Sequence, residues 1–229
     1  MGELEPEEKS EFSHRLIQWW KISGRKFPWR TESDPYKIFI AEILLHRTRA
    51  RNVPSVYSRF IKRFPDFQSL ATADRGDVLE ITRSLGLEWR TDKLLEASKL
   101  IMKDFGGRLP SDREKLLSLP GVGDYITSAV RVFSFGEHDE LIDTNTVRII
   151  CRIDGRTLND STRRERKIKD RYGLLLNESD SRKFGYAMID LASVICIPRK
   201  PRCDLCPVIQ HCKTAIYSRT NSSFSKERM

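Results

Sequence analysis

The sequence predicts an all-α protein, and three observations predict it. Apolar residues recur at helical rather than alternating spacing, as in Phe12, Leu16, Trp19 and Trp20. Helix starts and stops punctuate the chain: Asp34-Pro35 reads as an N-cap with proline in the first turn, and Gly24 and Pro28 break the helix before it. Alternating runs of β-branched and aromatic residues are almost absent.

The elements follow in order. The Phe12–Trp20 face gives a first helix, and GRKFPWR over 24–30 interrupts the pattern. A second helix starts from the Asp34 cap and runs through Ile38, Glu42 and Leu45 toward Arg51. Further helices are expected at about 54–63, 67–71, 74–85, 91–105, 112–119, 124–135, 144–153, 162–176 and 181–196. Ser111-Asp112-Arg113-Glu114 reads as a capping box with Ser111 as the cap. Residues 1–8 and the end of the chain, 215–229, read as disordered tails, the latter being serine-rich.

The chain has 229 residues, 39% hydrophobic and 32% charged, enough for one large or two small units around a proper core. Glu42 interrupts the apolar run that begins at Ile38, far short of a membrane span. The polar start, MGELEPEEKSEF, is unlike a secretory signal, so a cytoplasmic protein without a membrane partner is expected. A net charge of +9 favours a polyanionic partner, nucleic acid first.

Five cysteines divide into one and four. Cys151 stands in an apolar stretch and reads as buried and inert. Cys196, Cys203, Cys206 and Cys212 follow one another at intervals of six, two and five intervening residues. Four thiolates ligate either zinc or an iron–sulfur cluster. Zinc ribbons generally pair two CxxC knuckles; here there is one, within a single loop that suits a larger cluster. Arg199, Lys200 and Arg202 lie between the first two cysteines on a proline-braced stretch. They read as phosphate contacts, as balance for the anionic sulfurs, or as both.

Two carboxylates and a turn carry the remaining chemistry. In LPGVGDY the turn Pro120-Gly121-Val122-Gly123 reverses the chain with its backbone bare, and a helix starts near Asp124. Its unpaired N–H groups suit a phosphate; the plainer reading is an ordinary αα-hairpin. Asp143, in LIDTNTVR, reads by itself as an N-cap. Glu42 sits among Ile38, Ile43 and Leu45, where an apolar setting raises a carboxyl pKa and lets it donate a proton.

LPGVGDYITSAV, the FPWR and DPY stretches with Glu42, and FGYAMIDLASVICIPRKPRC with its cysteine spacing together resemble the helix-hairpin-helix DNA glycosylase superfamily, which includes endonuclease III and the adenine mismatch glycosylase. The resemblance covers roughly residues 12–214. It implies a two-part helical fold: residues 1–32 pack with a C-terminal part over 139–214, and a central domain over 33–138 carries the hairpin, with DNA across the cleft. It also implies a [4Fe-4S] cluster on the four cysteines and a duplex DNA phosphate on the amides of Gly121, Val122 and Gly123, assisted by a monovalent cation.

The resemblance assigns roles residue by residue. Asp143, 20 residues past Gly123, takes the place of the essential carboxylate. His46, Arg47 and Leu87 fall where the family fills the space left by an extruded base. The family often has glutamine near His46, and Arg47 reads as either a guanine reader or a phosphate contact. Trp89 stays open between wedge and core. At Tyr125, endonuclease III relatives have a lysine that attacks the sugar, and the adenine branch commonly has serine. Tyrosine resembles the archaeal thymine glycosylases acting on G·T mismatches, and it has no amine for strand cleavage.

The implied function is monofunctional hydrolysis releasing thymine or uracil mispaired with guanine in base excision repair, leaving an abasic site, by a monomer. The alternative is release of adenine opposite guanine or 8-oxoguanine. Adenine enzymes usually carry a further C-terminal domain, for which the 17 residues after Cys212 leave no room. A bifunctional lyase and a non-catalytic iron–sulfur DNA-binding protein are the lesser alternatives.

Overall fold

The computed structural model describes residues 6–86, 88–159, 162, 165–177 and 179–216, and every regular element among them is helical. By its internal contacts the chain divides into two units, one of Met1–Arg25 with Asp139–Met229 and one of Lys26–His138.

Among its described residues the continuous unit holds seven α-helices: α2 (Pro35–Leu45), α3 (Pro54–Arg63), α4 (Phe67–Ala71), α5 (Arg75–Thr82), α6 (Trp89–Phe105), α7 (Arg113–Leu117) and α8 (Asp124–Phe135), numbered after an N-terminal α1 (Pro6–Ser23). Asp34 starts α2 as expected, its side chain accepting from the Tyr36 amide at 2.9 Å, with Pro35 in the first turn. Helix α2 is buried on nearly every side, from Tyr36 through Leu44, because α8 and α6 both pack against it. Phe39, Ile40, Leu44, Phe60, Leu70, Leu94, Leu116 and Val130 fill the core around it. Each such side chain withdrawn from water contributes about 1.5–3 kcal/mol.

The discontinuous unit joins α1 to α9 (Thr144–Asp154), α10 (Arg166–Leu176) and α11 (Ser181–Val194). Helix α1 packs on α11 and α10, and α9 on α11. Phe12 and Tyr172 both meet the Phe184 ring, at centroid distances of 6.4 and 5.4 Å. Asp190 is fully buried in this unit and accepts from Trp20 Nε1 at 3.1 Å and from the Arg25 amide and Nε at 2.9 and 2.7 Å. Those bonds tie the end of α1 to α11. Cys151 is buried, and burial raises its thiol pKa.

Several boundaries differ from expectation. Helix α1 begins at Pro6, so residues 6–8 are helical rather than a tail. Helix α2 ends at Leu45, well short of Arg51, because His46 turns to ψ 115° and Arg47 adopts a left-handed φ of 55°. Helix α7 is capped by Asp112, which accepts from the Lys115 amide at 2.9 Å; Ser111 lies one residue outside it. The tail expected over 215–229 is helical at residues 215 and 216, and 217–229 lie outside the described residues. No described helix is long and apolar enough to cross a membrane.

Candidate functional site

The expected site residues fall on both units. Glu42, His46, Arg47, the hairpin glycines and Tyr125 belong to the unit of Lys26–His138; Asp143 and the four cysteines belong to the other.

Glu42 occupies the fourth position from the end of the buried α2 and is only 6% exposed. Its side chain is enclosed because α2 has no solvent face for it to choose. Burial pushes its pKa from 4.5 up to about 7, against a smaller lowering by the Arg30 charge. Neighbouring FPWR is anchored by Trp29, buried, stacked on Phe27 at 4.8 Å and meeting Tyr57 edge-on at 5.5 Å. A carboxyl poised near neutrality in an apolar wall is a proton donor in waiting.

The hairpin runs from α7 through residues 118–123 into α8. Gly121 has φ +80°, and a Cβ there would lie 2.9 Å from Lys93 Cβ. Only glycine takes that backbone without strain. Val122 is buried and gives its amide to the Leu119 carbonyl at 3.1 Å, so its role here is to set the turn. Gly123 is extended, and a Cβ on it would meet nothing within 4 Å. It is the N-cap of α8 with no side chain over the helix end. Arg113 braces the hairpin, donating from α7 to Asp124 at 2.8 Å and to Ser128 at 3.2 Å. Tyr125, in the first turn of α8, is half-buried against the core of its unit.

After α2, Arg47 is exposed and held with positive φ, while His46 is half-buried and meets the Trp89 ring edge-on at 5.6 Å. Burial first, then the charges of Arg47 and Arg90, lowers the His46 pKa and so disfavours its charged form. Trp89 is 39% exposed at the start of α6. Leu87 lies outside the described residues.

Asp143 is the N-cap of α9. One oxygen accepts from the amides of Asn145 and Thr146 at 2.9 and 2.8 Å, and the other from Asn145 Nδ2 at 2.7 Å. Thr146 Oγ1 accepts from the Asp143 amide in return, at 3.0 Å, which completes a capping box. Arg148, one turn on and buried, donates to Asn145 Oδ1 at 3.1 Å, to the Cys196 carbonyl at 3.0 Å and to the Ala192 carbonyl at 3.0 Å. Sequence reasoning missed both Asn145 and Arg148. The one available signal was an arginine on the apolar stripe between Val147 and Ile149.

The cysteine loop hangs on α9. Arg152 donates to Cys196 Sγ at 3.2 Å, to the Ile197 carbonyl at 2.8 Å and to the Pro198 carbonyl at 2.7 Å. Burial, with the charges of the other three loop cysteines behind it, pushes the Cys206 thiol up to about 12 against a lowering by the Val208 backbone amide. As a donor set, four half-buried cysteines free of disulfides on one loop suit a thiolate-ligated cluster. Their present geometry does not complete one: among the described residues no group of three such side chains is disposed to hold a metal ion. Arg199, Lys200 and Arg202 are exposed on the stretch that Arg152 pins.

Comparison with known proteins places this architecture. The chain is 39% identical to the thymine-DNA glycosylase of Aeropyrum pernix over 205 residues, covering 86% of this chain and 91% of that one. It is 33% identical to the adenine DNA glycosylase of Mycobacterium tuberculosis, covering 84% of this chain but 64% of the longer relative. A solved thermostable thymine-DNA glycosylase superposes with a TM-score of 0.85 at 31% identity, covering 92% of this chain and 98% of that one. Residues 40–172, from α2 through the hairpin to α10, match the family described as HhH-GPD superfamily base excision DNA repair protein. The chain therefore belongs to the HhH-GPD superfamily of base excision DNA repair proteins.

Proposed function

We propose that this protein is a monofunctional DNA glycosylase that releases thymine or uracil mispaired with guanine. The observation that carries the reading is Glu42, a buried carboxyl with its pKa raised to about 7 in a chain 39% identical to a thymine-DNA glycosylase. Thymine and uracil differ by one methyl group, so a pocket for the larger base admits the smaller.

The substrate is a mismatched duplex with the target base turned out of the stack. As the bond from C1′ to the base nitrogen breaks, its electron pair leaves with the base and Glu42 supplies the proton. The sugar is left with positive charge, which the Asp143 carboxylate opposes. Water adds at C1′ and releases one proton to solvent, from which Glu42 regains the proton it gave to the base, completing hydrolysis to an abasic site with the strand intact. Tyr125 shapes the pocket and offers no amine for a Schiff base, which supports hydrolysis without strand cleavage. The Gly123 end of α8 receives a backbone phosphate, and Arg199, Lys200 and Arg202 make further phosphate contacts. Cys196, Cys203, Cys206 and Cys212 hold a [4Fe-4S] cluster whose contribution is to fix the fold of that basic loop. The protein acts as a monomer in the cytoplasm.

Single-turnover base release from duplexes carrying G·T, G·U, A·G and A·8-oxoguanine tests the reading, each sample divided with and without hot alkali. Release from G·T and G·U, with strand breaks only after alkali, is the expected result. Faster release from the adenine pairs reassigns the substrate. A covalent adduct trapped by borohydride in the wild type overturns the monofunctional assignment; Tyr125→Lys is the positive control for that trap.

A further inference from the structure

Arg90 was not anticipated from the sequence, and it is 3% exposed in the continuous unit. Its two terminal nitrogens divide their work. Nη1 donates to the Leu44 carbonyl at 2.8 Å, the His46 carbonyl at 3.0 Å and Thr48 Oγ1 at 3.0 Å. Nη2 donates to the Leu85 carbonyl at 3.0 Å and the Gly86 carbonyl at 2.9 Å. One planar group thus grips two segments nearly 40 residues apart: the turn after α2 and the stretch leading into α6. No carboxylate pairs with it among the described residues; its acceptors are neutral oxygens at the ends of elements.

We propose that Arg90 is a positioning residue for base extrusion, locking the turn at 46–48 and the segment at 85–86 into one rigid element that presents Arg47 and Trp89 to the duplex. The proposal rests on reading the chain as an enzyme that turns its target base out of the helix. Three features carry it. The His46 carbonyl belongs to the peptide that enters Arg47, so clamping it fixes the plane from which the left-handed Arg47 departs. Trp89 adjoins Arg90 on α6 and meets His46, so the same grip sets where the exposed indole stands. The guanidinium also has a fork of fixed geometry, which holds two segments at a set separation; a lysine ammonium carries a compact charge and has no such fork. A requirement for packing alone is met by leucine at this buried helix position.

The test compares the wild type with Arg90→Lys and with Thr48→Val, which removes one acceptor and leaves Arg90 in place. Extrusion is followed in stopped flow by the fluorescence of 2-aminopurine placed beside a G·T mismatch, at saturating protein. Melting temperature and affinity for a matched duplex are measured on the same samples. The expected result is extrusion slowed by about tenfold or more in Arg90→Lys, as for groups displaced by about an ångström. A smaller slowing is expected in Thr48→Val, with matched-duplex affinity kept in both. If Arg90→Lys does not fold, Thr48→Val decides. Wild-type extrusion rates in the folded variants overturn the proposal. So do losses that track melting temperature and duplex affinity, and a wild type that does not extrude. A wild type that extrudes but releases no thymine or uracil defeats the substrate assignment, and the extrusion rates still decide the role of Arg90.

Discussion

Asn145 donates its side-chain amide to Asp143 at 2.7 Å while its carbonyl oxygen accepts from Arg148 at 3.1 Å. The Asp143 carboxylate is therefore aimed by a side chain that is itself held. Removing that hold in Asn145→Ala leaves the two backbone bonds of the cap, so α9 persists. The expected loss is about 10–100-fold in single-turnover base release, the worth of roughly one hydrogen bond to a charged group. A variant that releases base at the wild-type rate would show that the cap alone aims Asp143.

Glu42 gives a prediction in which activity and stability move in opposite directions. The folded state binds its proton more tightly, with a pKa of about 7 against 4.5, so stability falls as pH rises through that window. Above pH 7 the buried anion costs on the order of 3 kcal/mol. Glu42→Gln keeps the shape without the charge. It should melt higher than the wild type at pH 8, by an amount that vanishes near pH 4, and release base about 100-fold more slowly. In the wild type the release rate should fall above pH 7; a flat profile to pH 9 would remove Glu42 as the proton source.

The hairpin glycines separate fold from binding. Gly121→Ala forces a Cβ into a left-handed backbone and against Lys93, and should cost about 1–2 kcal/mol or more of stability. Gly123→Ala meets open space in an extended backbone and should fold within about 0.5 kcal/mol of the wild type. Its methyl group stands where a phosphate would approach, so duplex affinity should fall by about tenfold. Thermal melts and binding titrations of the two variants check both halves. Unchanged affinity in Gly123→Ala would take the phosphate away from this helix end.

For the cysteine loop, iron and sulfide analysis of the purified protein should give about four irons per chain. Cys206→Ser should lose most of that iron, together with the protection of the 196–212 segment from proteolysis. One zinc per chain in place of iron would reassign the site.

Much of this was legible in the sequence because its cause is local. Asp34 followed by proline, and Asp143 before an amphipathic run, are helix caps that depend on neighbours within a turn, and both stand where the pattern put them. The shift from Ser111 to Asp112 is the same physics with two adjacent candidates, of which the second bonds Lys115. What escaped was long-range. Helix α2 stops at Leu45 with no glycine or proline to announce it, and the carbonyls at that stop are taken up by Arg90, whose acceptors lie at 44–48 and 85–86. Arg148 is hidden likewise, because its partners are carbonyls from Cys196 and Ala192. A backbone carbonyl leaves no trace in sequence of which side chain will bind it.

The unit built from both chain ends constrains the order of folding during synthesis. Helix α1 leaves the ribosome well before its partners α10 and α11, which begin only at Arg166 and Ser181. Until then Phe12 and Leu16 have no core to enter. The continuous unit, Lys26–His138, gains all its helices in one stretch and can close while the rest of the chain is still being made. Closing it replaces a long flexible connection by a folded one, lowering the entropic cost of bringing α1 to α10 and α11.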